Sequence, residues 1–119
     1  MKTRNRRASE RIILRGSDEE LLTVNCQGRQ NLSRMLDLSD GGALVYLLGS
    51  LDNTLTKGDA CSISLHHDGG AFEIPATIAR ISGRLIAFQF GSLRPEASRL
   101  LQAKLTRLQV EWERLRRLA

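Results

Sequence analysis

Between residues 10 and 93 turn chemistry interrupts the chain every eight to twelve positions, and this rhythm restricts the fold more than any other feature. The segments between the turns are short and rich in β-compatible residues. Residues 11–15, 21–26, 30–38, 43–48, 61–66, 72–80 and 85–90 are the predicted strands. Residues 61–66 alternate strictly, with Cys61, Ile63 and Leu65 on one face and Ser62, Ser64 and His66 on the other. His67-Asp68-Gly69-Gly70 then signals a tight hairpin, because glycine accepts the positive φ that such turns demand. Phe72, Ile74, Ala76, Ile78 and Arg80 continue on alternate positions, and Ser82-Gly83 then turns the chain. Many short strands joined by turns imply a small antiparallel barrel or sandwich.

The pattern changes at Pro95. Proline followed by Glu96 starts a helix, and no Gly or Pro follows as far as Leu118. Ala97, Leu101, Leu105, Leu108, Trp112 and Leu115 are spaced by fours and threes, as in a coiled-coil seam. The first half of this helix is expected to cover one end of the barrel. The second half reaches beyond what a small barrel needs, which offers a surface to a second copy of the chain or to a partner protein.

At 119 residues the chain reads as one domain, large enough to bury a core without metals or disulfides. Its expected parts are a flexible arm over 1–11, a barrel over 12–93 and a helix over 95–118. No apolar run is long enough to span a bilayer and no apolar segment follows the basic start, so a cytosolic location and no membrane insertion are expected. Cys26 and Cys61 lack C-x-x-C spacing and read as reduced, buried small hydrophobes. His66 and His67 are adjacent on a strand and point to opposite faces, which argues against a shared metal. No convincing nucleophile–base pairing and no P-loop is present, so an enzyme is not expected.

The formal net charge is +5, and residues 1–15 hold six cations against the single carboxylate of Glu10, so this arm accounts for the whole excess. A local basic arm implies an anionic partner: a phosphate-bearing small ligand, a nucleic acid or a membrane surface. Two elements narrow the choice. Arg7-Ala8-Ser9-Glu10-Arg11 is an R-x-x-x-R in the arm, preceded by Arg6. Asp37-Leu38-Ser39-Asp40-Gly41-Gly42 is a D-x-S-x-x-G at a strand–turn–strand junction. An arginine fork binds phosphate oxygens or the Hoogsteen edge of guanine. An ionised Asp37 can accept from guanine N1 and N2, Ser39 can donate to phosphate, and Gly42 lets the backbone be approached closely. Singly, the first element is a solvated arm and the second an Asx or Ser turn.

Together, in this order and spacing, the two motifs resemble those of the PilZ domain family, and the likeness runs over about residues 6 to 108. The resemblance implies a six-stranded antiparallel β-barrel with a C-terminal helix, binding cyclic di-GMP. It implies that Arg7 and Arg11 grip guanine edges and phosphates, that Asp37 and Ser39 hold the opposite guanine, and that Gly42 shapes the turn. Arg6 resembles the residue that accompanies binding of two ligand molecules, and Arg80 lies near a strand position that sometimes reaches the ligand. The expected output is an arm that orders around cyclic di-GMP and signals to a downstream protein. Two rivals stand beside this reading. One is a ligand-independent adaptor of the same fold, acting through its helix. The other is a nucleic-acid-binding barrel, disfavoured because aromatic residues make up 4% of the chain and Tyr46, Phe72, Phe88, Phe90 and Trp112 mostly fall in core-like patterns.

Overall fold

The computed structural model describes residues 12–13 (backbone only), 20–49 and 55–118. Among the described residues seven strands precede one helix: β1 (Ile12–Ile13), β2 (Glu20–Cys26), β3 (Arg29–Leu38), β4 (Gly42–Leu47), β5 (Ala60–His67), β6 (Gly70–Ser82), β7 (Leu85–Phe90) and α1 (Pro95–Leu118). All pairings are antiparallel, in the order β3-β2-β5-β6-β7-β4, and β4 pairs back onto β3. Six strands therefore close a barrel. The short β1 lies in line with β2 on the same edge of β3, pairing Ile12 with Leu38 and Ile13 with Asp37 just past the point where β2 begins opposite Met35.

The alternation expected from sequence fills the barrel. Cys61, Ile63 and Leu65 of β5 point inward, as do Phe72, Ile74, Ala76 and Ile78 of β6. Leu22 and Val24 from β2, Met35 from β3 and Val45 from β4 complete a core that water does not reach. The β5–β6 hairpin turns on Asp68 and Gly69, with φ of 52° and 79°. Two consecutive positive φ values define the turn whose twist matches the flanking strands, and glycine supplies the second at no steric cost. Pro75 sits inside β6 without breaking the sheet. Its carbonyl accepts from Gly91 beyond the end of β7, so its missing N–H faces the side where that ladder has already stopped.

Helix α1 begins at Pro95, packs against β1 and β6, and buries Leu101 and Leu105 against the open end of the core. Full burial of one leucine contributes about 2 kcal/mol. Leu108 and Trp112 are half-buried, whereas Leu115 and Leu118 are exposed. The seam read in the sequence is thus split: its first part is core and its last part faces outward. No helix among the described residues is long and apolar enough to cross a membrane.

Candidate functional site

The D-x-S-x-x-G motif forms the β3–β4 junction. The Ser39 N–H donates to the Gly42 carbonyl at 2.9 Å, and the Gly41 N–H donates to Ser39 Oγ at 3.3 Å. The Ser39 hydroxyl in turn lies 3.5 Å from the Gly42 carbonyl. Ser39 is therefore the organiser of its own turn, through a side-chain–backbone clasp that its short hydroxyl allows. The turn is anchored to β7, because the Phe90 N–H donates to the Gly41 carbonyl at 2.9 Å. Gly42 has an ordinary φ. What it supplies is the absence of a Cβ, which would collide with the Phe88 backbone carbonyl oxygen. Its place in the motif is thus set by the close approach of β7.

A β-bulge decides where Asp37 points. Ser33 and Met35 face inward, and strict alternation would send Asp37 into the core as well. In the β3–β4 ladder, however, Met35 pairs with Val45 while Asp37 pairs with Leu44, so Leu36 is an extra residue. The bulge shifts the phase. Leu38 takes the inward position, fully buried opposite Ala43, and Asp37 turns to the outer face.

The same device acts on β6. Ile78 pairs with Phe88 and Arg80 with Ala87, so Ala79 is the extra residue. Arg80 is therefore not on the face of Ile78, as alternation alone predicts, but exposed on the outer face. The register then joins the two ends. Asp37 pairs with Leu44, Leu44 with Ala87 and Ala87 with Arg80. One row across β3, β4, β7 and β6 carries a carboxylate at one end and a guanidinium at the other, about 14 Å apart at the usual spacing of strands. A second row beside it runs Arg34, Tyr46, Leu85, Ser82, with Tyr46 and Leu85 exposed. Sequence reasoning missed these row partners. The available signal was the break in apolar alternation after Met35 and after Ile78.

Asp37 and Ser39 are 8% and 6% exposed, so both polar groups are held in defined places. Arg6, Arg7 and Arg11 lie outside the described residues. What is described is the entry of their arm: β1 follows Arg11 directly in the chain and pairs with Asp37 and Leu38.

A second polar cluster occupies a cleft of ≈ 250 Å³ between the β5–β6 hairpin and α1. Lys104 is 5% exposed, and its Nζ donates to Glu20 Oε1 at 2.7 Å and to the His66 carbonyl at 2.5 Å. Arg107 meets Asp68 at 2.7 Å. These bonds fasten the helix to the barrel, and no sequence pattern announced them. Among the described residues no group of His, Cys, Asp and Glu is arranged to hold a metal ion.

Comparison with known proteins adds to this geometry. The family model described as PilZ domain matches residues 5–107. Among solved structures, the PilZ domain of YcgR from Escherichia coli with c-di-GMP superposes with a TM-score of 0.77 at 21% identity, covering 97% of this chain and all of that one. The PilZ domain of CeSA from a cellulose-synthesizing bacterium gives 0.69 at 20% identity, over 85% of this chain and 99% of that one. The MrkH–c-di-GMP complex of K. pneumonia gives 0.72 at 20% identity, over 92% of this chain and 55% of that longer one. No curated protein matches by sequence.

Proposed function

Because the chain belongs to the PilZ domain family, we propose that it is a receptor for cyclic di-GMP and works by binding, not by catalysis. The observation that carries this reading is the pairing of β1 with the end of β3. Ile12 lies opposite Leu38, and Arg11 is the covalent neighbour of Ile12. Consecutive Cα atoms are about 3.8 Å apart, so covalent linkage to Ile12 keeps the R-x-x-x-R arm within reach of the D-x-S-x-x-G turn. Structures of YcgR and MrkH with c-di-GMP support the choice of ligand.

In this reading Arg7 and Arg11 supply bidentate donors to guanine edges and phosphates, and Arg6 serves a second ligand molecule. Asp37 accepts from the guanine Watson–Crick edge. The Ser39 clasp is long at 3.3 and 3.5 Å, so its hydroxyl can re-aim toward ligand at little cost. Gly42 contributes indirectly, by letting β7 close on the turn. Arg80 lies on the Asp37 row and adds a cation at its far end.

The arm orders as it wraps the ligand, and that ordering cost is met from binding energy. The output passes through α1, which packs against β1. The outward stripe of Trp112, Leu115 and Leu118 is the surface read by a downstream protein or by a second copy.

Calorimetric titration with cyclic di-GMP, with GTP and cyclic di-AMP as controls, tests the reading. Saturable binding selective for cyclic di-GMP and abolished in an Arg7→Ala, Arg11→Ala variant is expected. A folded protein that gives no heat at high micromolar ligand would instead be the ligand-independent adaptor.

A further inference from the structure

Cys26 is the last residue of β2 and Cys61 the second of β5, and the two stand directly opposite each other in the β2–β5 ladder. Both point into the barrel, 2% and 9% exposed, and both are free thiols. The Cys61 thiol donates to Cys26 Sγ at 2.7 Å. A disulfide needs sulfurs at about 2.05 Å and Cα atoms within roughly 4.4–6.8 Å. Directly opposed residues of an antiparallel pair have Cα atoms about 4.5–5.5 Å apart. The strands are therefore already placed for the bond, and only the thiol hydrogens stand between the sulfurs.

We propose that Cys26 and Cys61 form a redox-modification site, a dithiol that a peroxide converts to an intrachain disulfide. One cysteine sulfur, as thiolate, attacks a peroxide oxygen and breaks the O–O bond, giving a sulfenic acid and, after proton transfer, one water. The other sulfur then attacks the sulfenic sulfur, the S–S bond forms, and the hydroxyl leaves as a second water with the remaining thiol proton. Two electrons pass from the thiols to the peroxide, and the thiol hydrogens end in water. The neighbouring thiol resolves the sulfenic acid before a second peroxide can carry it up the oxidation ladder.

Burial sets the pace. Desolvation, then the hydrogen bond to Cys26 and the nearby charges of Cys26 and Asp59, push the Cys61 thiol up to about 12. Oxidation at neutral pH therefore proceeds through local opening of the strand ends next to the Gln27–Gly28 turn, and it is slow. The closed loop encloses β3 and β4, which carry Asp37, Ser39 and Gly42. The pair itself lies at the other end of β3, where Cys26 faces Arg29, so the bond braces the site's strands without touching the site.

The test is hydrogen peroxide treatment of the full folded chain, followed by peptide mapping without reduction. The expected result is loss of both free thiols, a linked Cys26–Cys61 peptide, and a melting temperature that rises by several degrees and returns on adding a thiol reductant. Cys61→Ala and Cys26→Ala variants, each confirmed folded, should give no such rise. Oxygen added to either cysteine of the native chain without a linked peptide, a bond between chains, or thiols that stay free while those of the denatured chain react would each overturn the proposal.

Discussion

Two residues show how much can rest on a single atom or proton. Gly42 is required by a neighbour's backbone: the carbonyl of Phe88 occupies the space a Cβ would take. A backbone atom cannot move aside by changing rotamer, so Gly42→Ala must push β7 away from β4. A loss of about 2 kcal/mol or more is expected in urea unfolding, at the overpacking end of single substitutions. Cys61 makes a prediction of a different kind. Its thiol is raised from the ordinary 9.0 to about 12, chiefly by desolvation. Between those values the unfolded chain has lost a proton that the native chain keeps, so stability falls as pH rises. The contribution is fully present below pH 9 and lost by about pH 12. Denaturant midpoints measured across that window should fall less steeply in Cys61→Ala than in the parent chain.

At the level of elements, α1 is held to the barrel by two unlike means, the apolar contact of Leu101 and Leu105 and the polar latch of Lys104 on Glu20. Lys104→Met keeps the stem but leaves Glu20 without its cation. Removing one partner of a buried pair costs about 3–5 kcal/mol, and because Glu20 is a quarter exposed the expected loss is nearer 2. Adding Glu20→Gln should restore part of it, which a double-mutant cycle by thermal melting would read. This latch also marks where sequence reading stops. Strands and helix were legible because alternation and the four-three spacing are written in consecutive residues. Lys104 and Glu20 lie 84 positions apart, and nothing local distinguishes that lysine from a solvated one. The bulges at Leu36 and Ala79 left only a break in apolar alternation as a signal, because the phase of each is fixed by the register of a partner strand. The D-x-S-x-x-G turn was visible in the sequence and Arg80 was expected near a ligand-facing strand position, but the bulges that turn Asp37 and Arg80 to the outer face were not directly visible.

For the molecule as a whole, the arm's entry strand and the helix touch, and under the proposed function ligand occupancy at one is expected to reach the other. Trp112 is the sole tryptophan and sits half-buried in the distal half of α1. Cyclic di-GMP should therefore shift its fluorescence, with a midpoint matching the calorimetric one, and the Arg7→Ala, Arg11→Ala variant should abolish the shift. An unchanged emission at saturating ligand would mean that the helix does not register occupancy. The ring of strands also dictates an order of events during synthesis. Residues 37–42 are made well before β7, yet Gly41 acquires its bond from Phe90, and Gly42 its neighbour Gln89, only when β7 has been translated. A nascent chain thus carries the D-x-S-x-x-G motif long before it carries the finished turn, which is complete only once β7 has been made.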